Sequence, residues 1–458
     1  MTRKLTFLIS IVMIAAFVLS ACAAPAATTA PAAPAATDAP AAPAATEAPA
    51  APAATEAPVA EPVVVTWWHI STKDPALSSW QKMADDYMAA HTNVKIEITV
   101  LENEAFKTKL TTLMQSGEVP DIFQSWGQGG MIEQVNAGLL KDISADLDAN
   151  GGEWRNSLGA LDAFAVDGKN YGVPWDMGAV TFWYNKDLFA QAGIEAVPTT
   201  WTEFLAACDK LKAAGIAPIS VGEGDKWPGM HIWAYLVSRI GGAEAFAAAA
   251  ANGDARTGKF TDEAFVQAGY ELKKLVDGGY FQEGFLGATH DEMNATFGNG
   301  KAAMELGGQW SPSVQKANSA DLAGVKNLGM FSFPALEGGK GLVTDIVGGG
   351  NGFAVGVNAE PEAIDFVKYL TNLENQKVIA ADNTGIPVAK GAGVALADPN
   401  MVLVSDAVAN STYYQLYFDQ VLPPAMGGII NDAVQKIFAG TATPEEVCAE
   451  IEAGFLAQ

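Results

Sequence analysis

Eleven tryptophans are the most informative side chains of this chain, and several stand where a loop leaves a strand. Trp67 and Trp68 end an apolar run. Trp126 follows PDIFQS, and Trp175 precedes Asp176 in GVPWDMG. Trp227 stands in GEGDKWPG, and Trp310 closes GGQW before Ser311-Pro312. An indole offers a flat apolar face of slight negative character. One face of a pyranose presents C–H groups of slight positive character, so the two stack. Hydroxyls at the sugar's edge then need partners, and carboxylates accept them in strong charge-assisted bonds. On this chemistry Trp68, Trp126, Trp227 and Trp310 are candidate ligand platforms. Asp176, Asp345 and Asp419, near aromatic or glycine-rich turns, are candidate hydroxyl acceptors, and His69 beside Trp68 is a further contact. Trp183 and Trp201 read as packing residues.

Other chemistries find less support. The four histidines, His69, His91, His231 and His290, show no pair two to four residues apart, so no zinc site and no other metal is expected. There is no GxSxG nucleophile elbow, no phosphate-binding GxxxxGK[ST] and no GxGxxG. No cofactor is expected and the chain does not read as an enzyme. A secreted glycoside hydrolase stays open, because 52 carboxylates can supply an acid and a nucleophile that meet only in the fold.

The N-terminus speaks to location. Arg3 and Lys4 precede fifteen uncharged residues, LTFLISIVMIAAFVL, which suit a secretory signal core better than a membrane span of about 20. Leu19-Ser20-Ala21-Cys22 then looks like a bacterial lipobox, so residues 1–21 are expected to be a signal peptide and Cys22 the lipidated first residue. Acyl chains there would hold the protein to a membrane surface. Residues 22–62 are nearly all Ala, Pro and Thr, with a nine-residue repeat from Ala32, Ala41 and Ala50. Frequent proline blocks helix, nothing large is available to bury, and the stretch reads as an extended tether. At about 3.1 Å per residue it reaches on the order of 100 Å. The expected location is the outer face of the cell membrane.

Residues 63–458 suit two lobes rather than one core. The net charge of −25 argues against nucleic acid as a partner, since that needs basic patches. Besides Cys22 only Cys208 and Cys448 occur, in helix-like segments, either as buried thiols or as one disulfide. After Pro62 the pattern alternates: strand (63–68), helix (from Pro75), strand (94–100), helix (to Gly117), strand (120–126). That order predicts a parallel sheet flanked by helices. A long helical zone follows from Trp227 to Leu275, a late strand at Gly352–Val357, and helices over the last sixty residues. The fold class is therefore α/β.

PDIFQSWGQGG, YGVPWDMGAVTFWYNKDLFAQAGI, WTEFLAACDKL, FGNGKAAMELGGQW, FAVGVNAEPEAIDFVKYLTNLENQ and IFAGTATPEEV run in order through residues 63–458. In these stretches the chain resembles the extracellular solute-binding proteins of carbohydrate ABC importers, the group that includes the maltose-binding type. The resemblance implies two α/β lobes, each a mainly parallel sheet flanked by helices, with the ligand cleft between them. It places 63–176 and 312–374 in the N-terminal lobe, and 177–311 and 375–458 in the C-terminal lobe. It implies a monomeric receptor that captures an oligosaccharide and hands it to ABC permease subunits. It carries sugar stacking onto Trp310 and Trp227, and hydroxyl contacts onto His69 and the Ser125–Trp126 region. The chain departs from the maltose type at Ala425-Met426-Gly427-Gly428, where that group has aromatics; Tyr414, Tyr417 or Asp419 stand in as replacements. Iron or polyamine is the alternative solute class.

Overall fold

The computed structural model describes residues 62–458. The expected signal segment, the tether and Cys22 lie outside the described residues.

Strands β1 (Val63–His69), β2 (Val94–Val100) and β3 (Ile122–Ser125) form the start of the first sheet. A small hairpin, β4 (Ala165–Val166) and β5 (Lys169–Asn170), lies apart from it. β6 (Gly172–Ala179), β11 (Ile346–Val355) and β12 (Tyr414–Leu416) complete the sheet, in the order β12-β11-β3-β1-β2, with β6 also paired to β11. The second sheet is β10 (Leu328–Phe331), β7 (Thr181–Asn185), β9 (Ala302–Gly307) and β8 (Ala217–Ser220), in that order. The parallel character expected of the sheets holds for β1–β2, β1–β3, β11–β12 and β8–β9. β11 runs antiparallel to β3 and β6, and β7 antiparallel to β9 and β10.

Each sheet has its own core. In β1 alternate residues Val65, Trp67 and His69 are buried on one face. The Trp67 ring meets Trp80, Phe353 and Phe366 edge to face at 5.7, 5.6 and 5.3 Å. In the second core Phe182 stacks on Phe331 at 5.1 Å, and Tyr235 on Phe333 at 4.6 Å. The fully buried Arg239 donates to the backbone carbonyls of Phe333, Pro334, Val343 and Asp345. It thereby fixes the segment that carries the chain from β10 to β11. Trp183 and Trp201 are packing residues as expected, 0% and 4% exposed. Cys208 and Cys448 are both buried free thiols in the second core.

The sheets and cores depart from the expected lobe boundaries in several places, among them β12, which lies within 375–458 but pairs with β11 of the first sheet. β10 lies within 312–374 but pairs with β7 of the second sheet, Leu328 opposite Asn185 and Phe331 opposite Phe182. Ile379, Val388 and Ala392 lie beyond 374 yet pack in the first core. There Gln376 Oε1 accepts from the backbone N–H of Val388 and Ala389. The long helical zone is three helices, Trp227–Gly241, Glu244–Ala250 and Glu263–Asp277. The late strand begins earlier than expected, at Ile346. Among the described residues no helix is long and apolar enough to cross a membrane.

Candidate functional site

Helix starts and strand exits from both sheets converge on a cavity of about 200 Å³. Trp227 opens the Trp227–Gly241 helix and Trp310 immediately precedes the Ser311–Asn318 helix. Each is followed by a proline in the first turn, where the missing N–H costs nothing and φ is already helical. Thr289 starts the His290–Gly298 helix with a reciprocal cap to Glu292. One helical turn after Trp227, His231 lies on the same face. Tyr417 and Asp419 arrive from the turn after β12.

These side chains form an aromatic cluster. The Trp227 ring lies 4.7 Å from His290, 5.3 Å from His231 and 6.2 Å from Trp310. Tyr417 stacks on His231 at 4.9 Å and meets Trp310 at 6.5 Å. Across the cavity, the first sheet contributes Trp126, Trp175 and Asn351. Lys107 Nζ sits 5.6 Å from the centre of the Trp126 ring and pairs with Glu104 at 2.8 Å. At the rim, Lys73 and Asp291 form an ion pair at 3.4 Å.

Several residues that line the cavity carry a buried polar atom without a protein partner. These atoms include the indole N–H groups of Trp175, Trp227 and Trp310, His231 Nδ1, His290 Nε2 and the Tyr417 hydroxyl. Buried groups of this kind are normally satisfied, so an ordered water or a bound ligand is their expected partner. Burial, with a smaller push from His290, lowers the His231 imidazole to about 3. Burial lowers His290 to about 4. Both rings are neutral at physiological pH, each with one donor and one acceptor nitrogen. Burial also pushes the Tyr417 hydroxyl well up, so it keeps its proton, and raises Asp419.

Of the residues expected from sequence, Trp126, Trp227, Trp310 and Asp419 line this cavity. Asp176 sits behind it, 1% exposed, with its carboxylate already bonded. It accepts from Asn351 Nδ2 at 2.8 Å, from the Gln309 amide and from Ile386 N–H. Burial still pushes it up to about 6.

Three expected residues lie elsewhere. His69 shares the core-facing side of β1, 4.8 Å from the Trp67 ring, and its Nδ1 accepts from Ser71 N–H. Trp68 points to the opposite side and lies under Lys109 Nζ at 4.5 Å. Asp345 closes a turn, accepting from Leu342 N–H and the Thr412 hydroxyl. Trp175, His231 and His290 were not singled out as site residues from sequence. The four-residue spacing of Trp227 and His231 was the one local signal available for the pair. Among the described residues no group of three His, Cys, Asp or Glu side chains is arranged to hold a metal ion.

The family model for bacterial extracellular solute-binding proteins matches residues 71–377. A multiple sugar-binding protein of Streptococcus mutans is 26% identical over 71% of this chain and 75% of its own length. A diacetylchitobiose binding protein of Streptomyces coelicolor is 26% identical over 70% of this chain and 72% of its own. A solved chitin oligosaccharide binding protein superposes with a TM-score of 0.80 at 30% identity, over 86% of this chain and 98% of its own. A structure from work on xylan utilisation by Caldanaerobius polysaccharolyticus gives 0.79 at 30% identity, over 85% and 99%. With its two sheets, its flanking helices and a matched stretch covering most of its length, the chain belongs to the bacterial extracellular solute-binding protein family.

Proposed function

We propose that this protein is the sugar-binding receptor of an ABC importer and performs no bond chemistry. The observation that carries the reading is the cavity itself: indole faces at Trp126, Trp227 and Trp310 beside polar atoms that lack protein partners. Stacking supplies affinity for C–H faces, and the free donors and acceptors meet hydroxyls. The sugar-binding names borne by relatives support the same reading.

The two lobes are the two sheets with their cores, and the ligand touches both, Trp126 and Trp175 on one side and Trp227 and Trp310 on the other. Closure follows from this, because a ligand that contacts both walls favours the state in which both contacts exist. The loaded, closed form is the one handed to the membrane permease. Residues 22–62 act as a tether from a lipidated Cys22 on the outer face of the membrane, and the receptor works as a monomer.

Titration calorimetry of the purified protein against a library of mono- and oligosaccharides tests the reading. One sugar bound per chain and recovered intact after long incubation is the expected outcome. Shortened products would make it a hydrolase, and no sugar bound at all would end the proposal.

A further inference from the structure

Two fully buried carboxyl groups lie outside the cavity, and each meets the first turn of a helix that starts at a candidate platform. We infer that Glu223 and Glu305 are positioning residues for the sugar, acting through Trp227 and Trp310. The inference rests on the sugar-receptor reading above.

Glu223 stands in the loop after β8 and is 0% exposed. Its backbone is held on both sides: its N–H donates to the Phe285 carbonyl at 3.0 Å, and its carbonyl accepts from the Gln435 amide. Its carboxyl lies against Gly229, the third residue of the Trp227–Gly241 helix. A Cβ on Gly229 would collide with Glu223 Oε1, so the acid and the helix turn share that space only because residue 229 is glycine.

Glu305 stands in β9, also 0% exposed, opposite Ser220 of β8 and Trp183 of β7. Paired side chains share one face of a sheet. The Ser220 hydroxyl donates to the Met293 carbonyl at 2.8 Å, so this is the face covered by the His290–Gly298 helix. The Glu305 carboxyl faces the hydroxyl of Ser311, the residue after Trp310, without a tight hydrogen bond between them. Trp183 Nε1 donates to the Gly307 and Gly308 carbonyls at 3.0 and 3.1 Å, and Ser311 N–H donates to Gly308 at 3.0 Å. Glu305, Trp183 and Ser311 thus brace the turn that carries Trp310.

No unpaired cation faces either acid from the elements packed around it. At Glu223, Lys226 pairs with Asp432 at 2.5 Å and Lys436 with Glu450 at 2.5 Å. The Trp227–Gly241 helix brings His231, Tyr235 and Arg239, whose guanidinium is committed to backbone carbonyls. The neighbouring loops bring Glu283 and Asp225, which accepts from His290 N–H. At Glu305, β7 brings Tyr184 and the His290–Gly298 helix brings His290, Asp291 and Glu292. Asp291 is paired with Lys73, Glu292 caps Thr289, and Lys316 of the Ser311–Asn318 helix is exposed.

An unpaired buried carboxylate is costly, so both acids keep their protons near neutral pH. Burial raises Glu305 to about 8, opposed only by Ser311, and raises Glu223 well above 4.5, opposed only by the Gly229 N–H and Lys226. Ionisation would put a charge beneath a platform turn, draw water or a donor toward it, and shift the ring that the turn carries. His231 and His290, lowered to about 3 and about 4, and Tyr417, raised well up, keep their charge states through this change.

Calorimetry with whichever of maltose, cellobiose, xylobiose and N,N′-diacetylchitobiose binds most tightly tests the inference. Near neutral pH, Glu223→Ala and Glu305→Ala should each weaken binding about five-fold or more, and Glu223→Gln and Glu305→Gln should restore most of it, because an amide keeps the shape without the charge. Wild-type affinity should fall about three-fold or more between about pH 6.5 and about pH 9, and Glu305→Gln should flatten that fall. Thermal unfolding shows which variants are folded at the assay temperature; if an Ala variant is not, the Gln variant and the wild-type pH profile carry the test. Folded Ala variants that bind like wild type, or a wild-type affinity level across this range, overturn the positioning role. Gln variants as weak as the Ala ones overturn the account of uncharged acids. Without sugar, infrared difference spectra should show a protonated-carboxyl C=O stretch near neutral pH that each Gln variant reduces, and its absence overturns the same account. Failure of every sugar in the wider library removes the receptor reading and the positioning role with it, while the infrared band still decides the charge state of the two acids.

Discussion

Trp310→Ala is the perturbation whose size follows most directly from the geometry. The indole is half-buried, packed against the edge of the second core on one side and open to the cavity on the other. Stacking on a pyranose covers roughly 80–100 Å² of apolar surface, worth about 2 kcal/mol at ~25 cal/mol per Å² and about 1 more for the orientation of the ring. Affinity for the bound sugar should therefore fall about 30- to 150-fold. The ring's packing on Trp227 and Tyr417 also contributes to the empty protein, so its melting temperature should drop by about 2–4 °C for each kcal/mol of packing lost. Calorimetric titration and thermal unfolding of the same variant separate the two roles. An unchanged dissociation constant, with the melting temperature clearly lowered, would make Trp310 a packing residue and refute the platform assignment.

The backbone beneath that ring offers a subtler probe. A Cβ placed on Gly308 would come within 2.3 Å of the Trp310 indole, so Gly308→Ala should weaken sugar binding by tilting the platform while changing stability much less than Trp310→Ala; intact affinity would show that the ring position is not critical. Arg239→Met strands backbone carbonyls of the crossover between the sheets and should cost about 3 kcal/mol or more, read as a fall in the urea midpoint, and a loss below about 1 kcal/mol would contradict the clamp. Burial raises Glu305 to about 8 from an ordinary 4.5, so it contributes stability fully present below pH 4.5 and lost as pH rises through 8. Glu305→Gln should flatten this decline in melting temperature between pH 4.5 and 8, and an identical pH profile would refute the assignment. Burial pushes the Cys208 thiol well up and Cys448 to about 12, so iodoacetamide should label neither in the native protein and both after denaturation; native labelling would refute their burial.

The order of strands and helices from Val63 to Trp126 was legible because periodicity there is local: β1, β2, β3 and the two helices that connect them fall within a few residues of their expected positions, whereas the helices Gln128–Asn136 and Ser144–Ser157 that follow were not read. The ends of pairing were not. β10 joins the second sheet through Leu328–Phe331, four residues whose partner β7 lies far back in the chain, and nothing in the four residues themselves names that partner. The same limit governs the site. Trp227 and Trp310 were readable because each stands at the start of a helix with proline in its first turn, at a glycine-rich approach. Trp68 and His69 stand at a strand end, and there the two-residue alternation, not the proximity to a loop, decides which way a side chain points. His69 follows Trp67 into the core. Asp345 was readable as a turn residue, but its carboxylate is consumed by the turn it closes, as the Asp176 carboxylate is by Asn351, Gln309 and Ile386. Those three partners come from separate parts of the chain and meet only in the fold.

A crystal structure of the protein with the tightest sugar from the library tests the central claim most directly. The account predicts a pyranose face lying on Trp227 or Trp310, with Trp126 or Trp175 reaching the same ligand from the first sheet and sugar oxygens within hydrogen-bond distance of the indole N–H groups that now lack partners. A sugar bound elsewhere on the surface, with the cavity between the two sheets left unoccupied, would contradict it.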